Sequence, residues 1–417
     1  MKSRRPALVV VSSLFPSEKR PLAGVFIKER MRRVAAELPV TVVSPQPWFP
    51  LQSLLGWLRR GYRPALPARE VIDGLEVVRP RFFALPGMLR QLDGLMMSLA
   101  LEREVRRLRA AGRADLLDAH FLYPDGSAAA RVGRRLGLPV TVTLRGTEPG
   151  HTRQPALRPQ LELAVRTVDR VFSVSDSLRQ VAVDLGAAPE RTRVIGNGVD
   201  LSRFVPLHRV EARRRLGLPA DARVLVTIGG LVERKGFHRV IDCLPWLAQQ
   251  FVEPLRYLVV GGPSPEGDMS AELRRQVARL GLQQSVQFLG AMTPDDLKLP
   301  LSAADVFVLA TRNEGWANVL LEAMACGLPV VTTRVGGNAE VVCRDDLGIL
   351  VPFGSAEALQ TAIAQALGRD WDREAIRRYA SENTWDRRVA VLIAEFEAVT
   401  RERTVAAPAR SLAPAAE

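Results

Sequence analysis

The chain has 417 residues, 47% hydrophobic and 25% charged, which is a globular composition too long for one ordinary core and suited to two or three domains. Cys243, Cys326 and Cys343 are too widely spaced for a zinc site or a disulfide framework, and no apolar run is long enough to span a bilayer. The net charge of +13 lies in one half: residues 1–200 hold 32 Lys and Arg against 19 Asp and Glu, whereas residues 201–417 hold 26 of each, which suggests two domains with different partners.

The start, MKSRRPALVVVSSLF, imitates a signal peptide, but PSEKRP follows in place of a small-residue cleavage site, so 7–12 reads as a buried strand. After the loop PSEKRPLAG, residues 25–37 read as a helix, and 40–44 as a strand. Residues 48–63, WFPLQSLLGWLRRGYR, break the alternation with two Trp, Phe, Tyr and three Arg. Strands are expected over 75–79, 115–120, 140–144, 171–174 and 193–195, with helices over 89–111, 128–136 and 176–185 between them. Residues 201–223 read as a linker holding one short helix, and a second series follows. Its strands fall at 224–229, 256–261, 286–289, 306–310, 330–333 and 348–352, alternating with helices, and the last helices are expected over 372–380 and 386–399. Two such series predict an α/β fold of two doubly wound domains, with ligands at the carboxyl ends of the strands.

Three loops after strands carry candidate site residues. In the first, Gly24 directly precedes a helix, where a missing side chain lets a phosphate approach backbone amides. The second, GGLVERKG, sets Arg234 and Lys235 between glycines, a pairing suited to a diphosphate. The third, TRNEGWANVLLEAMACGLPVVTT, places Glu314 before Gly315 in a turn and Glu322 on a short helix with Asn318 as its N-cap. Taken alone, two glutamates around a turn are as compatible with an ordinary parallel sheet as with a site. Taken with the cations, they describe a ligand holding both a diphosphate and hydroxyls, as a nucleotide-sugar does.

The segment NEGWANVLLEAMACGLPVV resembles the Glu-x7-Glu region of family-4 retaining glycosyltransferases of GT-B fold. PLAGVF, DAHFLYPDG, TLRGTEPG, FSVSDSL, VIGNGVDLSRF, GGLVERKGF and VGGNAEVV follow in the family's order, so the resemblance covers nearly the whole chain. It implies two Rossmann-like domains facing a central cleft: 1–205 for the acceptor, 206–385 for the nucleotide-sugar, a helix over 386–404 packing back toward the first domain, and a disordered tail over 405–417. It further implies that Glu322 binds the donor ribose, Glu314 the donor sugar, and the amides near Asn318 and Val319 its phosphate, with Gly315 in the turn. Lys235 would neutralise the leaving diphosphate and Gly24 would cover it; no metal or other cofactor is expected, and UDP- or GDP-linked sugars are the usual donors.

Two positions depart from the family. Arg145 stands where many members have His, and Gly230 where many have Arg; Arg234 is a candidate to compensate for the latter. His120 is then the remaining candidate imidazole, with a core-edge histidine as its plain alternative. The acceptor is expected to be a saccharide or lipid-linked saccharide, and the basic first half with its aromatic 48–63 segment suits the anionic inner face of the plasma membrane, so the location is cytoplasmic and peripheral. A nucleotide-sugar epimerase of the same architecture is the alternative enzyme. A nucleic-acid partner is not expected, since no basic helix carries interleaved aromatics.

Overall fold

A computed structural model describes residues 4–410 except 22, 51, 53–65, 86 and 265. The chain forms two compact units, residues 1–196 with 388–417, and residues 197–387.

The first unit is built on β1 (Leu8–Val11), β2 (Val40–Val43), β3 (Gln46–Trp48), β4 (Arg69–Ile72), β5 (Leu75–Val78), β6 (Arg81–Phe83), β7 (Leu116–His120), β8 (Val140–Leu144), β9 (Arg170–Ser173) and β10 (Thr192–Val194). Eight of these form a sheet in the order β10-β9-β8-β7-β1-β2-β5-β4, parallel except for β4 on β5. β1, β7 and β8 are buried along their whole length, as befits strands covered on both faces. β3 and β6 pair separately, and neither they nor β4 was expected, because short edge strands with exposed residues lack a clear apolar signal.

The helix Val25–Val34 buries Ile27, Met31 and Val34 at helical spacing against this sheet. The final helix, Trp385–Arg410, gives the same core Val389, Leu392, Phe396 and Val399, a stripe at i, i+3, i+7 and i+10. Phe396 is fully buried and meets the edge of Phe172 with ring centroids 6.1 Å apart. That helix runs on to Arg410, through part of the stretch expected to be a tail, where alanines favour helix.

The second unit is a six-stranded parallel sheet of β11 (Arg223–Ile228), β12 (Leu255–Val260), β13 (Val286–Gly290), β14 (Val306–Leu309), β15 (Val330–Thr333) and β16 (Gly348–Val351), in the order β13-β12-β11-β14-β15-β16. Apolar cores lie on both of its faces. Strand order reverses at β11, which pairs with β12 on one side and β14 on the other. The loops after β11 and β14 therefore leave the sheet side by side in opposite directions, the usual place for a ligand.

The expected linker is largely packed structure. Its helix Arg209–Arg215 sends buried Arg213 to Ala303 O at 3.0 Å and to Asp305 at 2.8 Å. No described helix is long and apolar enough to cross a membrane. Replacing Phe396 by Ala should destabilise the first unit by about 3–5 kcal/mol, the usual cost of emptying a buried aromatic site, read as a lower denaturant midpoint.

Candidate functional site

The loop after β11 closes through a single-turn 3-10 helix, Glu233–Lys235, ending at Gly236. Gly236 has φ +79°, and a Cβ there would sit 2.0 Å from Ala310 O, so only glycine lets this loop touch the end of β14. Arg312 N donates to Arg234 O at 2.8 Å and joins the two loops.

Their side chains converge on one atom. Glu314 Oε1 accepts from Lys235 Nζ at 2.6 Å, Arg234 Nη1 at 3.1 Å and Thr311 Oγ1 at 3.1 Å. Arg234 also forks onto Glu266 at 2.8 and 2.7 Å, so its orientation is held from both sides. Behind Glu314 lies Gly336, φ +49°, where a Cβ would be 1.7 Å from Glu314 O.

The helix Asn318–Ala325 begins just beyond. The N-cap position is Ala317, not Asn318 as expected, and no side chain caps the helix. The Asn318 side chain accepts instead from Asn197 Nδ2 at 2.9 Å, a tertiary bond that outcompetes the local cap. Among the described residues the Asn318 and Val319 amides meet no acceptor, leaving the positive helix end open beside Gly315.

Glu322 lies one turn into this helix. It is partly exposed, and no described residue donates a hydrogen bond to its carboxylate. Burial pushes its pKa up to about 7, against the pull of Arg203 and Lys235.

The sequence candidates Gly24 and His120 belong to the first unit. Gly24, φ +68°, precedes the helix Val25–Val34 and lies so close to Leu14 O that a Cβ would be 2.4 Å from it. His120, read as a candidate imidazole with a core-edge histidine as the alternative, is fully buried at the end of β7. Its Nδ1 faces the Arg145 guanidinium, 3.2 Å from Nε and 2.8 Å from Nη2, and Nε2 lies 3.3 Å from Asp118. Arg cannot accept, so Nδ1 is the unprotonated nitrogen and Nε2 carries the proton. Burial and then Arg145 hold the ring neutral, with a pKa lowered to about 4. Arg145 stacks on Phe26 at 5.2 Å. Glu148 accepts the backbone amides of Leu122, Arg145 and Gly146 and so shapes this loop from inside.

Sequence reading passed over His151, six residues beyond Arg145. It is half-buried, meets the Tyr123 ring edge-on at 6.1 Å, and keeps a buried Nδ1 that has no partner among the described residues. Its only sequence signal was a place in the loop after a central strand.

The profile of Glycosyl transferases group 1 matches residues 208–383, and that of Glycosyltransferase Family 4 matches residues 58–203. A D-inositol 3-phosphate glycosyltransferase of Salinispora tropica is 31% identical over 365 residues, covering 81% of this chain and 76% of the relative. The chain belongs to the group 1 glycosyl transferases. The putative teichuronic acid biosynthesis glycosyltransferase TuaC of Bacillus subtilis is 29% identical over 395 residues, covering 91% of this glycosyltransferase and 90% of the relative. Sucrose-phosphate synthase from Thermosynechococcus elongatus has the same fold, with a TM-score of 0.68, 22% identity and coverage of 98% and 99%. Anabaena Alr3699/HepE in complex with UDP gives a TM-score of 0.64, 22% identity and coverage of 97% and 99%.

The pKa of Glu322 sets a test within the glycosyltransferase itself. Its folded value lies above the ordinary 4.5, so the folded state prefers the protonated acid. The cost is absent below about pH 4.5, grows as pH rises, and levels off above about 7. Glu322→Gln should therefore match the wild type in stability near pH 4 and exceed it at pH 8 by about 1–3 kcal/mol, discounted for the open side of the group, as read from denaturation curves.

Proposed function

We propose that the second unit binds a nucleoside-diphosphate sugar, UDP- or GDP-linked, and that the enzyme transfers the sugar to a saccharide or lipid-linked saccharide with retention of anomeric configuration. The observation that carries this reading is the convergence of Lys235, Arg234 and Glu314 beside two open helix amides and the unpartnered Glu322. Solved HepE structures with UDP and with UDP-glucose favour a uridine donor.

Each role follows from unused capacity. Lys235 Nζ spends one of its three donors on Glu314 and keeps two for diphosphate oxygens. Glu314 accepts Lys235, Arg234 and Thr311 all on Oε1, which leaves Oε2 for donor-sugar hydroxyls. The Asn318 and Val319 amides are suited to a phosphate, and Glu322 to ribose hydroxyls. As the sugar–phosphate bond breaks, negative charge grows on the diphosphate, and Lys235, Arg234 and the helix end stabilise it. A leaving-group oxygen can take the acceptor proton on the same face, so buried His120 and cationic Arg145 are not asked to act as bases. We assign Gly24 to closing over the diphosphate, and no step is given to a metal.

Acceptor-dependent release of nucleoside diphosphate tests the transferase reading, since an epimerase would release none. Lys235→Ala should lower kcat about 10²–10³-fold, the range for losing one preorganised donor to developing charge, and Glu322→Ala should weaken donor binding about 10–100-fold in calorimetry. Activity should persist in EDTA, and an anomer inverted relative to the donor, seen by NMR, would overturn retention.

We also propose that the first unit docks on the anionic cytoplasmic membrane face. The aromatic and basic segment that motivates this, including Trp57, Arg59 and Arg60, lies outside the described residues. Next to it in sequence, Trp48 pairs with Phe83 across β3 and β6, and both are exposed, at 39% and 45%. The protein should float with vesicles of anionic lipid and lose that binding on combined Trp57→Ala, Arg59→Ala and Arg60→Ala substitution; equal behaviour of the two proteins would count against docking.

A further inference from the structure

Between the helices Ser127–Leu136 and Arg158–Thr167 of the first unit lies a cavity of about 70 Å³. One water needs roughly 10–15 Å³, so the space exceeds a single solvent molecule. Arg131 and Arg134, one turn apart on the first helix, line it together with Gln160 and Thr167 of the second.

Three of these side chains have unmet bonding capacity. Arg131 Nε is buried with no acceptor, and no described residue pairs with the side chain of Arg131 or Arg134. The adjacent Arg135, by contrast, holds Glu102 at 2.8 Å. Gln160 Nε2 donates to Gln91 O at 2.6 Å, which settles its amide orientation, because the reverse would set two oxygens face to face. Gln160 Oε1 is then a buried acceptor with no donor. A bound water would satisfy single polar atoms, but it brings no charge to offset two neighbouring guanidinium groups.

We infer that this cavity binds an oxyanion that also carries a hydroxyl, a phosphate ester of a polyol. Its anionic oxygens accept from Arg131 and Arg134, and its hydroxyl donates to Gln160 Oε1. None of the residues assigned to the donor lines this cavity. Such a group has two sources, a soluble phosphorylated polyol or an anionic phospholipid headgroup.

The test titrates sn-glycerol 3-phosphate into the full chain by calorimetry, in a Lys235→Ala background that disables the proposed diphosphate site. Binding is expected, and Arg134→Gln alone should weaken it about tenfold or more, the loss of one charge-assisted pair. Arg134 is exposed, so this variant should fold, and Arg131→Gln with Arg134→Gln should abolish binding. Flotation with phosphatidylglycerol and phosphatidylcholine vesicles forms the second arm. Arginine-dependent binding of phosphatidylglycerol vesicles without binding of glycerol phosphate would keep the site and assign it to lipid. If neither ligand's binding changes in the arginine variants, or neither binds, the inference is overturned.

Discussion

Much of the second unit's site hangs on one carboxylate oxygen, Glu314 Oε1, which receives Lys235, Arg234 and Thr311 at once. Two cations on adjacent residues repel, and a partly buried setting screens that repulsion less than water does. The shared carboxylate turns the repulsion into a cross-link between the loops after β11 and β14. Backbone geometry makes this possible, because glycine at 236 and 336 lets three loops approach to distances that any Cβ would forbid. The cluster is thus preorganised, and its remaining donors and acceptors are oriented before a ligand arrives.

Glu322 follows the opposite logic. Nothing described hydrogen-bonds it, and the fold holds it where ionisation is disfavoured. Stability alone would favour a neutral or paired residue at this place, so an acid here fits a group that serves a ligand. The stability cost and the proposed ribose contact are two sides of one fact: a carboxylate left without protein donors has its acceptor capacity free.

The alternation of strands and helices and the order of loop motifs made both α/β units legible, because buried parallel strands write themselves as short β-branched runs between glycine-containing turns. Arg234, Lys235 and Glu314 were legible as candidates from residue type and place after a strand. Their convergence on one oxygen was not, since it depends on the order reversal at β11. Asn318 looked like a cap by local rules, and a partner 121 positions away, Asn197, decided otherwise. His120 was legible as an imidazole at a strand end, but not its burial between Arg145 and Asp118, which depends on β7 and β8 lying side by side. In each case local chemistry named the residue, and tertiary packing determined its task.

Arg145 sets the chemistry of a buried cluster. An imidazole at that place could exchange a proton and alternate between donor and acceptor, whereas a guanidinium only donates. Arg145 therefore fixes the tautomer of His120: Nδ1 must accept, and the proton sits on Nε2, which lies 3.3 Å from Asp118. Burial first, and then the cation of Arg145, disfavour protonated His120 and lower its pKa to about 4. The cluster consequently holds a neutral imidazole between a guanidinium and a carboxylate. The proposed transfer, in which the leaving diphosphate takes the acceptor proton, makes no demand on these buried residues, so an arginine at 145 is compatible with it.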